Sequence, residues 1–324
     1  MSRQIMTRRA LLAGAGTAAL VAAGCSSPYP KDEAEAAFPP LGEMVPSGNE
    51  TVHVWRAGFD GASAGRTPVV LIHGASGNLR DFTFSVAPKL AQERPVIAVD
   101  RPGFGYSTRP AEGGDDPRVQ ARIIREAMLG LGVERPIVLG HSYGAAVSMG
   151  WALDAPETLT GVIPVSGVTM PYTGAGRVMA RLGVTDLLTW AYTEYLKSIA
   201  DNGGIERFLE RVFRPQPVPP GYASYVGAAL ALRETTLYAN MEDLQNVNRV
   251  LLDVAEGYPA LEMPFEIVHG TADFIEPDGQ AEPLHRVLPN AQLTLLPNVG
   301  HMAHHASPEL LAEAASRIET RLKS

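Results

Sequence analysis

Cysteine is almost absent: Cys25 is alone in 324 residues. A single thiol excludes a disulfide framework and a cysteine-ligated metal cluster. The spacings H-E-x-x-H and G-x-x-x-x-G-K-[ST] are missing too, so no metal, nucleotide or other cofactor is expected. Positive charge is in deficit, 27 Lys and Arg against 35 Asp and Glu for a net of -8. That balance excludes the clustered basic face a nucleic-acid backbone calls for. Charged residues make up 19% of the chain and hydrophobic ones 45%, which rules out a disordered or fibrous class. The length suffices for one large α/β domain carrying an insertion. The uncharged stretch 10–24 is too short for a bilayer span, which takes ~20 residues.

That stretch follows Arg3, Arg8 and Arg9, and residues 1–25 read as a signal peptide to be set aside before fold reasoning. "TRRALL" resembles a twin-arginine export signal, with Leu where Phe is usual. "VAAG" before Cys25 resembles the cleavage box of bacterial lipoproteins, with Ala22 where Leu is commonest. The resemblance implies an exported protein on the periplasmic or cell-surface side, membrane-anchored through lipidated Cys25. Several acyl chains, at ~0.8 kcal/mol per buried methylene, would hold it firmly. Residues 26–42, rich in Pro, Ala and acid without apolar periodicity, are expected to form a tether.

From Glu43 onward short apolar runs alternate with helical stretches. "TVHVWR", "PVVLIH", "PVIAVD", "PIVLG", "GVIPVS", "PFEIVHG" and "AQLTLLP" read as strands, and most are continuously apolar, as strands buried on both faces are. Helices are expected over 117–130, 142–154, 278–288 and 307–322. The pattern predicts an α/β fold with a mostly parallel central sheet and helices on both faces. The core is expected over 43–166 and 261–324. Between them, 167–260 reads as a helical cap that holds ten of the 22 aromatic residues, most of them expected to pack the cap's own interior.

Gly140-His141-Ser142-Tyr143-Gly144 matches G-x-S-x-G between a strand and a helix, where the sharp turn exposes a serine hydroxyl to the helix N-terminus. A serine nucleophile needs a base and a group to orient that base. The loop after "PFEIVHG" offers Asp273, and the loop after "AQLTLLP" offers His301. Ser142, Asp273 and His301 thus follow three different strands, in that order. Other candidates are weaker. His304 and His305 read as helix-entry or surface residues, and His73, His141 and His269 as buried packing residues beside glycines. Asp100 is expected to anchor the "RPGFG" turn, and Glu276 and Asp278 to cap a helix.

With "HGASGN", "DRPGFGYS", "GHSYGAA", "HGTADFIEP" and "GHMAHHASP" in this order, the chain from about Glu43 to its C-terminus resembles the α/β-hydrolase fold superfamily. The resemblance implies Ser142 as nucleophile, His301 as base and Asp273 as the carboxylate that holds it. It also implies an oxyanion hole from the backbone N–H groups of Ala75 and Tyr143. The expected activity is carboxylic ester hydrolysis through an acyl-enzyme, on a small apolar ester-like substrate. Serine disfavours the carboxylate-nucleophile dehalogenases and epoxide hydrolases. Carbon–carbon bond hydrolases and cofactor-free haloperoxidases keep the serine triad and stay open. A tethered binding lipoprotein without turnover is the remaining alternative; its expected mark, a damaged triad, is missing.

Overall fold

The computed structural model describes residues 29–172, 184–198 and 203–322. The signal segment and Cys25 lie outside the described residues. Eight strands form one sheet: β1 (Glu43–Ser47), β2 (Glu50–Ala57), β3 (Val69–Ile72), β4 (Val96–Val99), β5 (Ile137–His141), β6 (Gly161–Val165), β7 (Phe265–Gly270) and β8 (Ala291–Leu296). Their order across the sheet is β1-β2-β4-β3-β5-β6-β7-β8. β1 and β2 form an antiparallel hairpin, β2 meets β4 antiparallel, and β4 to β8 run parallel. Sequence pattern does not separate β1 from the region before "TVHVWR", because Pro46 and alternating exposure hide an edge strand of this kind.

Side chains of the central strands feed two cores in turn, as the two-residue period of a strand dictates. Val70, Ile72, Ile97 and Val99 pack on one face, where Ile123, Ile124, Val147 and Trp151 cover them. Val69, Leu71, Val96 and Ala98 pack on the other, beneath Val86, Leu90, Leu311 and Ile318. Both faces being dry explains why these strands carry no polar alternation.

The main helices in chain order are α1 (Lys31–Ala37), α2 (Pro117–Gly130), α3 (Tyr143–Asp154), α4 (Val184–Ser198), α5 (Gly204–Phe213), α6 (Glu234–Val254), α7 (Ala281–Val287) and α8 (Pro308–Arg321). α2 starts where Asp116 accepts a hydrogen bond from the Arg118 N–H at 2.8 Å with Pro117 at the first helical position, a start signal readable in the sequence. Glu276 and Asp278 do not cap α7: Gln280 precedes it, and the Glu276 carbonyl instead accepts from Gly279 within the loop. α4 to α6 lie between β6 and β7, so the insertion sits beyond the carboxyl ends of the parallel strands. Among the described residues, no helix is long and apolar enough to cross a membrane.

The tether expected over 26–42 is not what residues 29–42 form. α1 buries Ala34 against Ala229 and Leu230 of the insertion, with Tyr29, Phe38 and Tyr106 around them. Glu35 pairs with Arg233 at 2.7 Å, and Arg80 and Tyr106 donate to the carbonyls of Pro39 and Phe38, each at 2.6 Å. One small buried alanine leaves no apolar stripe, so composition alone reads as solvated chain. Ala34→Asp should therefore lower the thermal midpoint by more than about 5 °C, a charge being forced into an apolar site. Glu33→Ala, on the exposed face, should shift it by less than about 1 °C. Calorimetry on the two variants checks this, and equal midpoints would restore the tether.

Candidate active site

Ser142 closes β5 and opens α3 with φ 53° and ψ -119°, a left-handed conformation that costs a non-glycine residue on the order of 1–3 kcal/mol. Its surroundings hold it there. The Ser142 N–H donates to the Val165 carbonyl at 3.0 Å, while its own carbonyl accepts from Ala145 and Val168 at 3.0 and 3.1 Å. The flanking glycines are steric requirements. A Cβ on Gly140 would strike the Gly144 carbonyl and the Ser148 hydroxyl, and one on Gly144 would strike the Ile72 carbonyl of β3. Gly74 is the third: its Cβ would fall 2.9 Å from that of Ser142. So the G-x-S-x-G spacing records how tightly α3 enters between β3 and β5.

His301 stands in the loop after β8, and its Nδ1 lies 2.9 and 3.1 Å from the two oxygens of Asp273, beyond β7. The carboxylate accepts, so Nδ1 carries the proton and Nε2 is left with a lone pair. Burial would raise the Asp273 pKa, but hydrogen bonds from His269, His301 and the Ile275 N–H hold it well below the usual carboxylate range. The ring is fixed from other sides as well. Phe274 packs over it at 4.4 Å between centroids and His141 at 4.8 Å, and the His301 carbonyl accepts from His141 Nε2 at 3.0 Å.

Ser142, His301, Ala75 and Tyr143 line one cavity of about 490 Å³, and Asp273 stands behind the imidazole. Every described residue singled out in the sequence for this site is thus brought together. No hydrogen bond joins the Ser142 hydroxyl to the His301 ring among the described residues, a bond that in ligand-free sites often tightens only with substrate. As the first residue of α3, Tyr143 has no intrahelical acceptor for its N–H. Among the described residues the Ala75 N–H has none either. Two unengaged backbone donors therefore border the serine, where developing negative charge would be stabilised.

Sequence reasoning missed the far wall. Asp81 lines the same cavity and accepts from Tyr222 at 2.7 Å, His305 at 2.8 Å and His304 at 3.0 Å. His304 is fully buried, not a surface residue, because that carboxylate draws it inward. The three donors follow Asp81 by 141, 223 and 224 residues, a separation no local pattern can signal. Asp81, His141 and His304 bring potential metal-ligand atoms within 4.8 Å of one another. The His304 Nε2 bears the proton given to Asp81 and the carboxylate already has three donors, while His141 Nδ1 and His304 Nδ1 are buried without a hydrogen-bond partner among the described residues. His73, His141 and His269 are buried as expected, and Asp100 anchors its turn by accepting from the Leu79 and Tyr106 N–H groups at 2.7 and 2.9 Å.

Residues 67–308 match the family model for the alpha/beta hydrolase fold. The chain belongs to that family. An acetyltransferase component of the acetoin cleaving system, from Pseudomonas putida, is 27% identical over 260 residues, or 78% of this chain. The chain spans only 63% of that relative's length. Among solved structures, an esterase from Exiguobacterium antarcticum is 22% identical with a TM-score of 0.69, covering 86% of this chain and 100% of its own. A bromoperoxidase from Bacillus anthracis is 18% identical with a TM-score of 0.66, covering 86% and 99%. At such identities the two structures share the fold.

The buried histidines give this α/β-hydrolase a pH signature. Burial, assisted by Arg101, lowers the His73 pKa to about 4, and burial holds that of His141 well below its usual range. Below pH ~6.5 the unfolded chain takes up protons on these rings that the folded chain refuses, the His73 ring until about pH 4. Stability is therefore fully present above pH ~6.5 and is lost as the pH falls toward 4. The loss amounts to a few kcal/mol, since each tenfold difference in proton affinity between folded and unfolded chain is worth ~1.4 kcal/mol. Urea midpoints measured from pH 7 to 4 should fall steadily; a flat profile refutes neutral buried rings.

Proposed function

We propose that this α/β-hydrolase is a serine esterase that cleaves neutral, apolar carboxylic esters through an acyl-enzyme. The observation that carries the reading is convergence on one cavity: Ser142, the ring of the His301–Asp273 pair, and the unengaged N–H groups of Ala75 and Tyr143. In this reading the Ser142 hydroxyl gives its proton to His301 Nε2 as its oxygen attacks the ester carbonyl. Asp273 keeps the imidazolium oriented and compensates its charge. The two backbone donors take the oxyanion, each worth ~2.7–4 kcal/mol in the transition state. Collapse expels the alcohol, which His301 protonates; the same ring then deprotonates water to release the acid.

Substrate class follows from the walls. Leu196, Ile205, Leu209, Val212 and Val247 come from the insertion, and Met302 from the core. Asp81, His141 and His301 are the carboxylate and imidazole groups there, and no Lys or Arg lines the cavity among the described residues. A free carboxylate on the substrate would find no cation, and its desolvation would go unrepaid. A volume of about 490 Å³ lies in the usual range for small-molecule sites. Carbon–carbon bond hydrolysis and halide peroxidation would use the same three side chains, so a panel of aryl esters, a vinylogous diketone, and peroxide with bromide separates the readings. The N-terminal part of the proposal, export and lipidation at Cys25, is tested by whether Cys25→Ser releases the protein from the membrane fraction.

Ser142→Ala should abolish both ester turnover and fluorophosphonate labelling with the thermal midpoint preserved, and Asp273→Asn should lower kcat by about 10³–10⁴-fold. Retained turnover in Ser142→Ala excludes the serine mechanism. Across a series of p-nitrophenyl esters, kcat/KM should rise from acetate to medium chains by roughly 3-fold or more per added methylene until the cavity is full; a monotonic fall would put the apolar wall out of contact with the acyl group.

A further inference from the structure

Arg101 is fully buried at the end of β4, and everything around it is accounted for by bonds that reach in two directions. Toward the sheet, its Nε donates to the His73 carbonyl at 3.0 Å and its Nη2 to the Gly74 carbonyl at 3.2 Å. Toward the helices, its Nη1 donates to Asp243 on α6 of the insertion at 2.6 Å and to Gln120 on α2 of the core at 2.9 Å. The guanidinium lies between the rings of Phe104, at 4.0 Å, and Tyr143, at 4.4 Å.

The Gly74 carbonyl has a second donor, and the tautomer identifies it. The Arg101 N–H donates to His73 Nε2 at 3.0 Å, so Nε2 is an acceptor, and the proton sits on Nδ1, 2.8 Å from the Gly74 oxygen. Two buried side chains thus pull the carbonyl of one peptide to the same side. Because a trans peptide directs its C=O and N–H oppositely, the Ala75 N–H is turned away from them, and Ala75 lines the cavity. The next peptide is gripped from the insertion too: the Ser76 N–H donates to Asn240 on α6 at 2.7 Å.

From this geometry we infer that Arg101 is a positioning residue for both halves of the oxyanion hole, aiming the Ala75 N–H through the Gly74 carbonyl and bracing the first residue of α3 through the Tyr143 ring. Asp243 on α6 sets the guanidinium's angle, so the insertion shapes the catalytic electrostatics as well as the substrate pocket. The inference deepens the serine-esterase reading and rests on it. Lys keeps the charge opposite Asp243 but has no planar fork to span the two carbonyls.

Arg101→Lys should lower kcat about 100-fold, as a misaimed donor does, with KM changed less than about 3-fold. It should weaken an aryl trifluoromethyl ketone, which forms an oxyanion adduct, by a similar factor, and leave a same-sized ether, which forms none, unaffected. Should Arg101→Lys not fold, Arg101→Met/Asp243→Leu removes the buried pair together and should show the same split between ketone and ether. Asn240→Ala should give a smaller loss of the same kind. Equal loss for ketone and ether, or kcat within 2-fold of wild type in a folded variant, overturns the inference. Exchange of the Ser76 amide keeps it separable from the hydrolase reading. That amide should exchange faster in Arg101→Lys even if the wild-type chain neither hydrolyses esters nor reacts with fluorophosphonate, and unchanged exchange overturns the anchoring itself.

Discussion

The close approach of the first turn of α3 to the ends of β3 and β5 is the constraint on which the site depends. Gly144 touches the Ile72 carbonyl so tightly that no side chain fits, and Ser142 is driven to a positive φ. Such strain persists only where neighbours over-determine it. Here three backbone hydrogen bonds and the two-sided burial of β5 do so. The result is a serine raised off the sheet next to the open end of a helix, with a second peptide edge, at Gly74 and Ala75, pressed against it.

Buried charge is arranged around that turn in separate compensated groups. Asp273 has His269 and His301, Asp81 has Tyr222, His304 and His305, and Asp243 has Arg101 and Arg109. Removing water from an ion is costly unless partners replace its hydrogen bonds, and each carboxylate meets that condition. His141 and His304, tilted at 47° with centroids 4.1 Å apart, are kept neutral by burial, so they add no charge beside His301. Neutral rings against an oriented imidazole suit a site where positive charge should arise only during reaction.

The insertion is joined to the core by polar bonds as well as by apolar contact, in which Val247 and Leu251 of α6 share one cluster with Val147 and Trp151. Asn240 and Asp243 reach the loop after β3 and the turn after β4. α1 adds a strap from the chain's N-terminal side through Glu35 and Arg233. Hydrogen bonds of this kind define an angle, where apolar contact alone tolerates sliding.

Much of this was legible without coordinates. The central strands read directly because burial on both faces makes them continuous apolar runs. Ser142, Asp273 and His301 read because each ends such a run, and G-x-S-x-G read because its glycines answer to a local collision. What only the tertiary structure decided has one physical cause: it depends on side chains far apart in sequence meeting in a low-dielectric interior. Asp81 becomes a cavity wall only when residues 141 to 224 positions later turn inward to it. Ala34 becomes core only because Ala229 and Leu230 arrive beside it, and Arg101 acquires its orientation only when α6 delivers Asp243. Periodicity reports which face of an element is dry, because solvent acts on each residue locally. It carries no record of which partner satisfies a buried charge, because that choice is made across the whole fold.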